Sequence, residues 1–262
     1  MPNHPDLAPA AGLDPALETE RHTQTSPIPS PAPTPPSAPK YYYFAYGSNL
    51  SPTQMAARCN KNPSSSKPLA IATLPHWRWF ICEAGYANVL PPLGLRVPNQ
   101  DSEPALQIPV SGSEDTVYGV LYEMDLRDEK RLDGFEGIDT NAEDADGEAI
   151  DVDVRPKQQG NGSYNKWFVE ANVLKWLDER DDAEAVTALV YVDENCVTLS
   201  GPNFEYIARM NRGIRESVEL GVSQQWVDEP MADAVQRNNL GEAPIPVDSV
   251  ECGEWVGGIV SG

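Results

Sequence analysis

The sequence predicts an α+β domain behind a segment that cannot join its core. Three observations carry this. Residues 41–46 read Tyr-Tyr-Tyr-Phe-Ala-Tyr and run directly into a helix start. Aromatic rings pack well on a pleated sheet, so this stretch is a strand. Residues 116–122, Thr-Val-Tyr-Gly-Val-Leu-Tyr, are apolar on both faces, as a central strand must be. Residues 203–220 carry Ile207, Met210, Ile214 and Val218 at helical spacing, which gives an amphipathic helix.

The chain has 262 residues, with 40 acidic and 19 basic side chains and a formal charge of −21. Phosphate binding needs a basic surface, so this balance argues against a nucleic-acid partner. The sequence holds no run long and apolar enough for a membrane span. Residues 1–10 lack the basic and apolar regions of a secretory signal, so none is expected. Cys59, Cys82, Cys196 and Cys252 are far apart in sequence and form no CxxC pair. They predict neither a disulfide framework nor a metal site, and they fit a reducing, cytoplasmic compartment. With His4 and His22 in the tail, a histidine-based metal centre or a Ser-His-Asp triad would rest on His76 alone. No metal is therefore expected.

Residues 1–39 are rich in Pro, Ser, Thr and Ala and cannot bury enough apolar surface to fold. A spacer is the simplest role for them. After the first strand, Gly47 is expected to let the chain turn without a Cβ penalty. Ser51-Pro52-Thr53-Gln54 then reads as a capping box with proline at the first helical position. Leu50 and Met55 stand at the positions of a hydrophobic staple. Tyr46-Gly47-Ser48-Asn49 is thus a strand-to-helix loop whose N–H groups can face an anionic group. An ordinary βα turn fits the same residues equally well.

Short strands follow at 69–73, at 77–82 with Trp77, Trp79 and Ile81 on one face, and at 85–90. Residues 91–114 read as a long surface insertion. Asp125 caps a helix to Asp133, and Gly134 is its expected left-handed stop. Glu136 then sits on a corner between Phe135 and Gly137. A carboxylate held against apolar surface has a raised pKa and can exchange protons near neutrality. A solvated loop glutamate is the alternative.

The acidic run 139–153 fails as a calcium loop, since Asp144 stands where glycine is required. It reads as a solvated insertion. Strands at 167–174 and 185–192 follow, with a turn at 176–180, and then the helix at 203–220 ended by Gly221. Tyr206 adjoins that helix's apolar stripe near its start, as a cleft residue or as a core or rim residue. A shorter helix at 223–237, interrupted at Pro230, and an irregular end at 238–262 with Trp255 docked on the body complete the chain. The division is therefore a tail at 1–39, a domain at 40–237 with insertions near 91–114 and 139–162, and a C-terminal tail.

Three motifs occur in one order: Tyr43-Phe44-Ala45-Tyr46-Gly47-Ser48-Asn49-Leu50, Leu132-Asp133-Gly134-Phe135-Glu136-Gly137 and Pro202-Asn203-Phe204-Glu205-Tyr206. Together they resemble the γ-glutamylcyclotransferase family over about residues 41–220. The resemblance implies a small mixed β-barrel with flanking helices. It implies conversion of a small γ-glutamyl compound to 5-oxoproline and a free amino acid, without cofactor or metal. It places Tyr43, Phe44, Ala45, Tyr46, Gly47 and Ser48 in the substrate-binding loop, makes Glu136 the catalytic acid/base, and puts Tyr206 at the substrate cavity. Tyr164 matches a further tyrosine beyond the catalytic corner. The leaving group stays open between an amino acid, an amine and a glutathione-derived intermediate. A non-catalytic binding module on the same fold is the alternative of a different class, and a homodimer is left open.

Overall fold

A computed structural model of the chain describes residues 42–110, 115–178 and 184–231. All belong to the unit Pro39–Gly262. The proposed tail 1–39, the segment 238–262 with Trp255, and residues 232–237 of the expected helix 223–237 lie outside the described residues.

Among the described residues there are seven strands: β1 (Tyr42–Ala45), β2 (Pro68–Pro75), β3 (Arg78–Ile81), β4 (Ala87–Leu90), β5 (Thr116–Glu123), β6 (Asn165–Trp176) and β7 (Ala185–Val192). Five close into a barrel in the order β1-β5-β2-β6-β7, while β3 and β4 form a separate hairpin. The barrel is mixed: β7 closes on β1 in parallel, with Tyr43 opposite Leu189, and the other pairs are antiparallel. The central position expected for β5 holds, since it pairs with both β1 and β2.

One glycine makes the barrel interior fit. A Cβ at Gly119 would lie 2.5 Å from Phe44 Cζ and 2.7 Å from the Ala45 carbonyl oxygen. Glycine within a strand here marks a close approach of the Phe44 ring to the neighbouring backbone. Phe44 and Ala45 are fully enclosed, and Trp167 packs edge-on to Trp77 in the same core.

The helices are α1 (Pro52–Arg58), the short α2 (Glu103–Leu106), α3 (Leu126–Phe135), α4 (Phe204–Leu220) and α5 (Gln224–Trp226). The start of α1 follows its sequence signature: Ser51 Oγ accepts from Gln54 N at 3.0 Å, and Leu50 and Met55 are fully buried. The second half of the capping box is absent. The Gln54 amide donates to Ser48 Oγ at 2.6 Å and to Asn49 Oδ1 at 3.1 Å, so it braces the preceding loop.

Four expectations need correction. Helix α3 does not stop at Gly134; it runs through Phe135, and Gly137 takes the left-handed conformation at φ 66°. The buried face of α4 is turned from the expected stripe, with Tyr206, Met210, Gly213 and Ser217 at its centre. Gly213 causes this: a Cβ there would be 3.3 Å from Ser48 O and 3.4 Å from Leu50 Cβ, so its absence lets α4 lie directly on the 48–50 turn. The segment 91–110 is not merely surface. Ala105 and Ile108 join Phe80, Cys82, Leu90 and Val197 in a second small core. Past α5 the chain continues through a wide turn, Val227–Met231, without a break at Pro230. Among the described residues, no helix is long and apolar enough to cross a membrane.

Candidate active site

The site forms where the β1–α1 loop, the end of α3 and the first turns of α4 meet. Strand β1 delivers Tyr43, whose ring stacks on Tyr122 at 6.3 Å and meets Tyr191 edge-on at 5.5 Å. Its hydroxyl accepts from Asn49 Nδ2 at 2.8 Å. The same amide nitrogen donates to Glu136 Oε1 at 3.1 Å. Arg58 Nη1, at the end of α1, donates to Glu136 Oε1 and to Asn49 Oδ1, each at 3.0 Å. Asn49 is thus fixed from both ends, and Glu136 is held by one oxygen. Among the described residues no donor reaches Oε2.

The corner that carries Glu136 is locked in place. Glu136 N bonds back to Leu132 O at 2.9 Å, and Ser163 N donates to Gly137 O at 2.9 Å. A Cβ at Gly137 would stand 2.9 Å from Ser163 Oγ, besides straining the positive φ. This contact brings Tyr164 to the site, where its hydroxyl donates to Ala87 O at 2.8 Å.

Gly47 serves a purpose other than turning. Its φ is −112°, which any residue adopts. Space is what it provides: a Cβ would sit 2.9 Å from the Tyr206 hydroxyl and 3.4 Å from Ala87 Cβ. The Tyr206 oxygen instead accepts from Ser48 N at 3.3 Å. That corrects the picture of a loop with open amides, since the Ser48 amide already has a partner. Tyr206 packs edge-on to Tyr86 at 5.2 Å, and the Arg209 guanidinium lies 5.0 Å from its ring centre. Arg209 also pairs with Glu205 at 2.8 Å. Tyr46 donates to Tyr191 O at 2.5 Å, and Trp79 Nε1 donates to Tyr46 O at 3.0 Å, which holds the loop's first residue.

Burial raises the Glu136 carboxyl above its ordinary value, while Arg58, Asn49 and Arg209 oppose the rise by favouring the charged form. Burial also raises the hydroxyls of Tyr43, Tyr46 and Tyr164, and Tyr206 is pushed up to about 12. Near neutrality these tyrosines are neutral hydrogen-bonding groups. Glu136 is the group among them suited to exchanging a proton.

Of the residues singled out in the sequence, Tyr43, Tyr46, Gly47, Ser48, Glu136, Tyr164 and Tyr206 converge here. The side chains of Phe44 and Ala45 are enclosed in the barrel, so their contribution to a ligand is confined to the backbone. Sequence reasoning did not single out Arg58, Asn49 or Arg209 as site residues. Two spacings pointed to the arginines: Gln54 and Arg58 stand four apart on α1, and Tyr206 and Arg209 three apart on α4, so each pair shares a helix face. A separate cleft of about 350 Å³, lined by residues including Asn99, Arg155, Gln158 and Glu194, does not include Glu136.

No protein-family model matches the chain, and no curated protein does. Among solved structures it is similar to YkqA from Bacillus subtilis, at 18% identity over 73% of this chain and 53% of that one, with a TM-score of 0.44. The chain thus spans about half the length of that relative. It is also similar to a structure named gamma-glutamyl cyclotransferase, at 15% identity over 85% of this chain and 94% of that one, TM-score 0.41. A further similarity is to a yeast γ-glutamyl cyclotransferase described as specific to glutathione, at 13% identity over 72% and 91%, TM-score 0.38. At this depth of similarity, function has to be read from the site's own residues.

Proposed function

We propose that this chain is a γ-glutamylcyclotransferase, which closes an L-γ-glutamyl amino acid or peptide to 5-oxo-L-proline and releases the amino acid. The observation that carries the reading is Glu136: a carboxylate of raised pKa, held through Oε1 by Asn49 and Arg58, beside the aromatic loop and three tyrosine hydroxyls.

The chemistry asks for little more. The substrate's own α-amine attacks its γ-carbonyl carbon, a C–N bond forms, and the bond to the leaving nitrogen breaks. The nucleophile is tethered to its target, so holding the chain folded back exploits effective molarities on the order of 10⁵–10⁸ M. The attacking amine must lose a proton and the leaving nitrogen must gain one. Glu136 performs both transfers, first as base and then as acid, and such transfers typically contribute ~10²–10⁴-fold. Arg58 and Asn49 orient the carboxylate and steady its charge when it is ionised. Tyr206, Tyr164 and Tyr43 supply oriented hydroxyls to a polar substrate. We place this activity in the cytoplasm, in keeping with the free thiols of Cys59, Cys82 and Cys196.

The test is incubation of the full chain with γ-glutamyl-alanine and assay of 5-oxoproline and alanine in equal amounts. A parallel panel containing a γ-glutamylamine and glutathione assigns the leaving group. No 5-oxoproline from any member of the panel refutes the reading.

A further inference from the structure

Cys82 and Cys196 are 114 positions apart in sequence, yet they meet at the tip of the β3–β4 hairpin. The sulfurs of both and a carboxylate oxygen of Glu83 all lie within 4.8 Å of one another. We propose that Cys82, Cys196 and Glu83 form a binding site for a divalent cation of thiolate preference, with Zn²⁺ as its ion. Two sulfurs and a carboxylate are a donor set for zinc, with a fourth tetrahedral position left for water.

The surroundings of the sulfurs support this independently. The segment Cys82-Glu83-Ala84-Gly85-Tyr86 is a tight turn, closed by Gly85 N to Cys82 O at 2.8 Å and Cys82 N to Tyr86 O at 3.0 Å. Gly85 takes φ 79° to make it. The turn points backbone N–H groups at sulfur: Ala84 and Tyr86 at Cys82, and Ala84 at Cys196 as well. N–H donors around a sulfur complement the charge it carries when it is bound to a metal ion. The local charge has the complementary sign. The Asp193 carboxylate accepts from Cys196 N at 3.1 Å and so adds negative charge beside the pair. A dication is complementary to the carboxylates of Glu83 and Asp193.

Access and framework also fit. Cys82 is buried, Cys196 is half-buried and Glu83 is exposed, so an ion has a route from solvent. Glu83 Oε2 is oriented by Thr198 N at 2.7 Å. The turn is braced against the start of α4, with Asn203 Nδ2 donating to Ala84 O at 2.8 Å and Asn203 N to Gly85 O at 3.0 Å. A cation here ties the hairpin to the segment leading into α4, and so steadies Tyr86 against Tyr206. Its role is structural and it takes no part in the transfer of protons by Glu136. Binding is balanced as two thiols and one Zn²⁺ giving a zinc dithiolate and two released protons.

The test uses the full reduced chain titrated with Cd²⁺, followed by the ultraviolet thiolate-to-cadmium charge-transfer band and by proton release. The expected result is one saturable step at one cation per chain, displaced by Zn²⁺, with a rise in melting temperature. Cys196→Ser should abolish the band, and Cys59→Ser should retain it. Glu83→Gln, at an exposed position that does not endanger folding, should weaken Cd²⁺ at least about tenfold. Absence of the band from the parent chain, its survival undiminished in Cys196→Ser, or an unchanged affinity in Glu83→Gln overturns the proposal.

Discussion

Replacing Glu136 by glutamine tests the proposed chemistry most directly. Glutamine is close to isosteric, and its Oε1 can still accept from Asn49 and Arg58 at the positions now 3.1 and 3.0 Å away. The Phe135–Gly137 corner, fixed through Leu132 O and Ser163 N, is untouched. What the variant lacks is a site for the substrate's proton, so turnover should fall about 10²–10⁴-fold. Stability should move the other way or stay level. The carboxyl pKa is raised in the folded chain, so its stabilising effect is present below the unfolded value and is lost as pH rises through the folded value. At neutral pH the charged form is therefore the costly one, and removing it should not lower the melting temperature. The opposing cost is a guanidinium left without its anion, which is moderated because Arg58 keeps Asn49 and some solvent contact. Thermal unfolding and 5-oxoproline formation on one preparation decide the matter. A folded Glu136→Gln variant with most of its turnover intact would remove Glu136 from the mechanism.

Arg58→Met should shift the acidic limb of the kcat/KM profile to higher pH, because Arg58 helps to hold Glu136 ionised; an unmoved limb refutes its role in positioning and charging the carboxylate. Tyr206→Phe should reduce turnover less than Glu136→Gln and cost about 1–3 kcal/mol of stability, since it strips Ser48 N of its acceptor; losses of turnover equal to those of Glu136→Gln would place Tyr206 in the proton path. Gly47→Ala should destabilise by about 1–3 kcal/mol through the 2.9 Å approach of its Cβ to the Tyr206 hydroxyl. In the Tyr206→Phe background that cost should shrink, and strict additivity in the double-mutant cycle would show the clash to be absent. Removal of residues 1–39 should leave the melting temperature and activity unchanged, as their composition cannot support a core; a drop of several degrees refutes this.

How much of this was legible in the sequence depended on how local each signal was. The strand β1, the Ser51 cap and the helix α4 are written in contiguous residues, and each forms close to where its pattern put it. The stop of α3 was misread because Gly134 and Gly137 both fit a helix end. The choice fell to Gly137 through the partner it meets, Ser163, which lies beyond the acidic run. The same limit hid the cluster of Cys82, Glu83 and Cys196, since the two cysteines carry no spacing signal. It also hid the reason for Gly47, which is the hydroxyl of a tyrosine 159 residues later. Glu136 was legible as a corner residue, but its clamp was not, because Arg58 reads in sequence as an ordinary basic helix end.

The acidic segment 138–162 does not separate the residues of the site. Its two ends are joined at the site itself, where Ser163 N meets Gly137 O, so the excursion 138–162 leaves and returns at nearly one point. Glu136 lies just before that point and Tyr164 just after it. Length added between them therefore does not separate the two residues. The entropy of closing a longer loop grows only slowly, each doubling costing about 0.6 kcal/mol. The insertion also repays part of that cost by packing. Arg155 grips Glu194 with two bonds of 2.7 Å, Gln159 reaches Asp193 at 2.9 Å, and Ala142 and Ile150 are buried. The expectation that the run 139–153 is simply solvated thus holds for its exposed acids, such as Asp144 and Asp146, and fails at Ala142 and Ile150, which are buried. Glu194 is the residue most dependent on the insertion, being almost fully buried with Trp167 and Asn165 as its remaining donors. Arg155→Met should accordingly destabilise the chain while leaving the pH profile set by Glu136 where it was. A shifted profile in that variant would mean that the insertion reaches the carboxylate electrostatically, and the separation argued here would fail.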